Sequence, residues 1–194
     1  MANIKTRALT EYEYSLIIQT IRKGIKTKDD RQIKPNLRIA TALVVQANLG
    51  LRIGDIVNLK LSDIIKDANR YRLNIKEQKT GKVREFTVPN EIYTYLQSYA
   101  LDNNIKTNQK LFSITVRQIQ KHLKIVTEHL GLENISTHSF RKFFAVSIYN
   151  NNNYNIELVR QLLQHSTVAV TQHYLSVQPE LVEKALQNHI KLPE

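Results

Sequence analysis

The sequence predicts a mainly α-helical chain with one small antiparallel β-sheet, an α+β fold in 194 residues. Three observations point there. Apolar residues recur at helical spacing over most of the length, alternation of apolar and polar residues is confined to a region around residues 71–88, and 5 Gly and 4 Pro are spread too thinly for a flexible linker. A chain of this size suits one domain that buries roughly 70% of its unfolded surface. The 42% hydrophobic share supports a real core and argues against a disordered basic tail.

Taken in order, Tyr14, Ile17, Ile18 and Ile21 set a first helix within Thr10–Ile25, with Thr10 as its cap. A charged stretch, Lys26–Lys34, follows. Leu37–Leu49 is apolar on most sides, the pattern of a central buried helix, and Gly50 ends it. Arg52 begins a short helix over IGDIVNLKL. Tyr71, Leu73 and Ile75 alternate with polar residues, as do Phe86 and Val88 beyond Lys79-Thr80-Gly81-Lys82, which predicts a β-hairpin with a lysine-bearing turn. Asn90 caps a helix carrying Ile92, Tyr95, Leu96 and Tyr99, and Thr115 caps another carrying Val116, Ile119, Leu123, Val126 and Leu130. The latter turns Arg117, Lys121 and Lys124 outward. Ser136 or Thr137 opens a helix through Phe144, Asn150–Asn153 form a polar loop, and helices return over Ile156–Leu163 and Val168–Tyr174. An amphipathic tail helix is expected over Pro179–Ile190.

Lys and Arg number 28 against 17 Asp and Glu, a formal charge of +11 that points towards a polyanionic partner. With no cysteine there is no disulfide framework, thiol nucleophile or cysteine-ligated zinc. No apolar signal core or membrane-length apolar run appears, so a cytoplasmic protein without a membrane association is expected. Gly-rich phosphate loops, a zinc-binding His pair on a helix and the Gly-x-Ser-x-Gly elbow are absent from the sequence.

The informative polar residues are dispersed. His138 and Arg141 stand three apart in THSFRKFF and share a helix face, while Phe140, Phe143 and Phe144 turn to the core. Arg52 follows the glycine that ends the buried helix, and Asp55, three residues on, is placed to orient it. Alone, Arg52 reads as a cap or ion-pair partner and Lys79 as an ordinary exposed turn lysine. Composition cannot choose Tyr174 from 9 tyrosines.

The joint pattern resembles the catalytic domain of the tyrosine recombinases, the phage integrase family. The matching segments are LGLRIGDIVNLKLSDI with Arg52, EQKTGKVREFTVP with Lys79, THSFRKFF with His138 and Arg141, and LLQHSTVAVTQHYLSV with His165 and Tyr174. They occur in the family's order, and the resemblance runs from Leu9 to Val177. It implies the tyrosine recombinase catalytic-domain fold: a single catalytic domain over residues 1–194, with a core over 9–177, a tail helix within 178–194 and no N-terminal core-binding domain. Single-domain members, similar to recombinases that invert fimbrial promoter segments, share that shortness, and a truncated integrase would look the same. Where the family commonly has Gly before the histidine of the LLGH segment this chain has Gln164, a change that bears on the local turn.

What the resemblance implies is a site-specific DNA recombinase acting in integration, excision or inversion, with no cofactor and no obligatory metal. Arg52 and Arg141 would offer forked donors to the non-bridging phosphate oxygens, a geometry lysine cannot copy. Tyr174 would be the nucleophile, His138 its assistant in proton transfer, His165 a hydrogen-bond donor to phosphate and Lys79 the acid that protonates the leaving 5′-oxygen, with Asp55 as support. Lys60, Arg117, Lys121 and Lys124 are candidates for phosphate contact. The partners implied are double-stranded DNA bearing a recombination site, three further copies of the chain on synapsed DNA with a monomer when free, and accessory DNA-bending proteins. Two other readings stay open: a DNA-binding regulator of the same fold, and relaxation of DNA in the manner of a type IB topoisomerase.

Overall fold

The computed structural model describes residues 6–27, 30, 32–175 and 187. Helix α1 spans Glu11–Lys23 and starts as the sequence predicts, with the Thr10 hydroxyl accepting from the Glu13 N–H while the Glu13 carboxylate accepts from the Thr10 N–H. Helix α2, Leu37–Leu49, buries nearly all of its length and is capped by Asn36, whose side chain accepts from the Ile39 N–H. Gly50 ends it in the left-handed conformation at φ 58°, donating its N–H to Gln46 O at 2.9 Å.

Before α2, Ile25–Lys26 (β1) and Gln32–Ile33 (β2) pair antiparallel. The expected single sheet is therefore joined by a two-residue ladder. Such a short ladder leaves no alternation to read in a charged stretch. The helix expected over IGDIVNLKL is only Ile53–Ile56 (α3). Beyond it Leu111 N–H donates to Leu59 O at 2.8 Å and Lys60 bridges Lys110, which draws Leu59 and Lys60 into an extended path, and the Asp63 carboxylate accepts the Lys60 N–H to seat a 3₁₀ turn over Leu61–Asp63.

The main sheet has strands β3 (Ile64–Asp67), β4 (Arg70–Lys76) and β5 (Val83–Val88) in the order β3-β4-β5, all antiparallel. Its hairpin register pairs Tyr71 with Val88, Leu73 with Phe86 and Ile75 with Arg84. Helix α4 spans Asn90–Asp102; Asn90 is its first residue rather than its cap, because Pro89, at φ −55°, supplies the carbonyl that accepts from Ile92 and Tyr93. Helix α5, Val116–His129, is capped by Thr115 with Gln118 completing the box. Helix α6, Thr137–Asn151, takes Asn150 and Asn151 from the expected loop, leaving turns at 152–154. Ser136 caps it, accepting from His138 N–H at 3.2 Å.

Two compact units emerge, Met1–Phe144 and Ala145–Glu194. In the first, one apolar core gathers Ile17 and Ile21 of α1, Leu43 and Leu49 of α2, Leu73 and Val88 of the sheet, Leu96 of α4, Ile119 and Leu123 of α5 and Phe140 of α6. In the second, α7 (Ile156–Leu163), capped by Asn155, packs against α8 (Val168–Leu175). The tail helix expected over 179–190 lies outside the described residues apart from Gln187.

Gly50 and Gly131 separate two effects of a side chain. Both have positive φ, but a Cβ at Gly50 collides with the Phe144 ring whereas one at Gly131 meets nothing within 4 Å. Gly131→Ala should cost about 1 kcal/mol for the backbone alone. Gly50→Ala adds overpacking and should cost about 2–4 kcal/mol. Urea unfolding midpoints of the two variants measure the difference.

Candidate active site

The first unit builds its cationic centre at the C-terminal end of α2. The last carbonyls of a helix lack intrahelical partners and carry partial negative charge, so buried ones attract cations. Arg141 Nη1 donates to Gly50 O at 2.5 Å. Arg84 Nη2 reaches Leu49 O at 3.2 Å, and its Nη1 lies 3.5 Å from Gly50 O. Both arginines are buried, at 0% and 1% exposure. Arg141 reaches the carbonyl because α6 sets it one helical turn from His138, with Phe140 in the core and Phe143 stacked on Tyr14 at 5.0 Å.

One buried carboxylate answers these charges. Glu77 places Oε1 3.3 Å from Arg84 Nη1, and its Oε2 pairs with Arg52 and accepts from the Thr80 hydroxyl at 2.8 Å. Burial alone would raise its pKa, but the Thr80 hydrogen bond and the Arg52 and Arg84 charges outweigh that and hold it below the usual carboxylate range. Burial, then repulsion from Arg141, lowers Arg84 to about 10 against the pull of Glu77. Arg84 thus remains a cation at neutral pH.

The hairpin turn anchored by Glu77 carries Lys79. Glu77 closes the turn with its own backbone, its N–H donating to Lys82 O and its carbonyl accepting from Gly81 N–H, each at 2.9 Å. Asp55, expected to orient Arg52, instead accepts the Gln78 N–H at 3.0 Å, while the carboxylate that meets Arg52 is Glu77. Lys79 itself is exposed. His138, also exposed, has its pKa lowered by partial burial of the ring and then by the charges of Arg141, Lys79, Lys142 and Arg52. It is therefore neutral at pH 7, and the same interactions show that Arg52, Lys79, His138 and Arg141 share one neighbourhood.

The second unit brings the remaining pair together. His165 is buried, with Nδ1 3.1 Å from the Thr171 hydroxyl, and its ring centroid is 4.7 Å from that of Tyr174 at 59°. Arg160 fixes the preceding turn by donating to His165 O at 3.0 Å while its own carbonyl accepts the His165 N–H at 3.0 Å. Gln164 adopts φ 52°, ψ 39°, the left-handed conformation that glycine takes readily. A residue with a side chain thus occupies the left-handed position of this turn.

Of the phosphate-contact candidates, Arg117, Lys121 and Lys124 are exposed on the outer face of α5 and Lys60 is half-buried beside the 3₁₀ turn. Glu77, Arg84, Thr80 and Lys142 were not singled out by sequence. Arg84 left one trace: it shares the inward face of β5 with Phe86 and Val88, and its guanidinium lies 4.9 Å from the Phe86 ring centroid. Lys142, buried, donates to Thr6 O at 2.5 Å and ties down the N-terminal segment. Among the described residues no group of three His, Asp or Glu converges to hold a metal ion, and no helix is long and apolar enough to cross a membrane.

Comparison with known proteins bears on this arrangement. The family model described as the phage integrase family matches residues 7–180. The probable integrase/recombinase YoeC of Bacillus subtilis is 29% identical over 178 residues, which cover 87% of this chain and 95% of that protein. Among solved structures, the XerH site-specific recombinase bound to its palindromic difH substrate after cleavage superposes with a TM-score of 0.73 at 19% identity, over 96% of this chain and 54% of that one. The catalytic domain of bacteriophage HP1 integrase superposes with a TM-score of 0.62 at 18% identity, over 95% of this chain and 96% of that domain. The fold is that of the tyrosine recombinase catalytic domains. The chain spans 57% of the integrase/recombinase of Acholeplasma phage L2 and 42% of the XerC recombinase of Caldanaerobacter subterraneus.

The two lowered histidines give a pH signature. His138 and the half-buried His122 of α5, lowered by burial, both bind protons less well folded than unfolded. Since the unfolded chain then holds more protons, stability should fall as pH drops below about 6.5 towards their folded values. His122→Gln should flatten that fall, read from urea midpoints at about pH 7.5 and about pH 5.5.

Proposed function

The chain belongs to the phage integrase family, the tyrosine recombinases, and from that premise we propose that it cleaves and rejoins DNA at specific sites through a 3′-phosphotyrosyl intermediate. The observation that carries the reading is the arginine cluster at the end of α2, where Arg84 and Arg141 reach the last helix carbonyls and Arg52 and Arg84 pair with the buried carboxylate of Glu77. A phosphodiester repels nucleophiles and gains negative charge on its oxygens as it is attacked, so the reaction needs fixed cations. An exposed turn lysine and a neutral histidine in the same neighbourhood supply the other demands, an acid and a proton acceptor.

In this mechanism Arg52 and Arg141 hold the non-bridging oxygens and Tyr174 Oη attacks phosphorus. The tyrosine proton passes to His138, whose affinity for a proton is lowered beforehand by partial burial and then by its cationic neighbours. As the bond from phosphorus to O5′ breaks, Lys79 protonates O5′ and leaves a 5′-hydroxyl. His165, whose imidazole packs beside Tyr174, donates to the phosphate. A 5′-hydroxyl from a second duplex then attacks the tyrosyl ester, which retains the energy of the original bond, so exchange draws on no nucleotide. Asp55 supports the turn through Gln78.

The chain acts as one catalytic domain over residues 1–194, in the cytoplasm, on double-stranded DNA bearing a recombination site, with four copies on synapsed duplexes and accessory DNA-bending proteins supplying grip. Lys60, Arg117, Lys121 and Lys124 contact backbone phosphates. The complex of XerH with its difH substrate supports DNA as the partner, and the basic charge of +11 agrees.

A nicked duplex drawn from DNA flanking the gene should trap a covalent protein–DNA adduct on a denaturing gel. Tyr174→Phe should abolish it, and Arg52→Lys should slow its formation by about 10²- to 10³-fold. Binding of that duplex without an adduct would instead favour a non-cleaving regulator.

A further inference from the structure

The two neighbours of Lys79 in the chain are both tethered while the lysine is not. Gln78 is held through its N–H by Asp55, and Thr80 through its hydroxyl by Glu77. Glu77 does more than hold Thr80. Its backbone closes the turn to Lys82 and Gly81, its second oxygen also pairs with Arg52, and its first meets Arg84, which is bound to the carbonyls that end α2. One side chain with 1% exposure therefore joins the phosphate-binding arginine, the helix end and the base of the lysine turn.

We propose that Glu77 is a positioning residue for leaving-group protonation, fixing the turn so that Lys79 meets the O5′ of a phosphate held by Arg52. The inference rests on the DNA-cleavage reading above. A glutamate that served only to neutralise buried arginines would need no contact with Thr80. A carboxylate that served only the turn would need none with Arg52. Because Glu77 makes both, a shift of Arg52 on binding phosphate is felt at the turn, and the acid is aligned with the phosphate that it serves. Alignment matters here because a proton must arrive as the bond breaks: Oη of Tyr174 bonds to phosphorus, the bond to O5′ opens, and O5′ takes the proton from Lys79 Nζ.

Replacing O5′ by sulfur isolates this step. A thiol ionises near pH 8.5, so a 5′-thiolate leaves without a proton, whereas an alkoxide does not. The full chain is given two nicked duplexes that differ in that one atom, and adduct formation is timed for the unmodified protein, Lys79→Ala, Glu77→Gln and Thr80→Val. On the oxygen duplex Glu77→Gln should be slowed about 30-fold or more, and on the sulfur duplex it should come within about 3-fold of the unmodified protein, following Lys79→Ala. Thr80→Val, which removes only a hydroxyl from an exposed turn, should show the same pattern to a smaller degree and decides the matter if Glu77→Gln does not fold. Equal slowing on both duplexes, or no slowing on either, overturns the inference. An unmodified protein that forms no adduct with either duplex overturns the cleavage reading, and this inference with it.

Discussion

A buried helix that ends inside the core must find partners for its last carbonyls, and that requirement organises the first unit. Helix α2 stops at Gly50 under the Phe144 ring, where water cannot serve. Two guanidinium groups serve instead, Arg141 from α6 and Arg84 from the inward face of β5. Three distant segments of sequence are thereby drawn to one point. An unmatched carbonyl there would cost about 1–3 kcal/mol, comparable with a large part of a small domain's net stability.

The same solution leaves a cluster of cations that repel one another. Glu77 offsets part of that repulsion, and it stays ionised despite burial because hydrogen bonds and charges favour the carboxylate over its acid. Partial burial of the His138 ring, and then the remaining positive potential, lowers its affinity for a proton. The groups that cap the helix are therefore also the ones that fix positive charge in place before any ligand arrives. Preorganisation of this kind avoids reorganising dipoles at the moment of reaction.

Much of this was legible in the sequence, for reasons that differ by residue. Thr10, Thr115 and Gly50 marked helix ends because capping is local chemistry. The hairpin was legible because β4 and β5 alternate on both sides of their turn. Asn90 missed by one residue because a proline carbonyl opens a helix as well as an asparagine caps one. Glu77 and Arg84 were missed because sequence order does not reveal that a charge is buried; only the register with Phe86 and Val88 hinted at it. Tyr174 could not be separated from its fellow tyrosines by spacing and stood out through the family pattern, and its ring now lies beside His165 within α7 and α8's own unit. Asp55 meets the Gln78 N–H rather than Arg52, whose carboxylate partner is Glu77, twenty-five residues further along the chain, a pairing that local spacing does not reveal.

The central claim is that Arg84 and Arg141 are locked on the α2 carbonyls before any DNA arrives. Side-chain nitrogen NMR of the DNA-free protein tests it most directly, because a guanidinium held by hydrogen bonds rotates slowly and shows separate Nη signals. The account predicts resolved, slowly exchanging signals for both residues, collapsing for Arg141 when Gly50 is replaced by alanine. Averaged signals from freely rotating groups in the unmodified protein would contradict it.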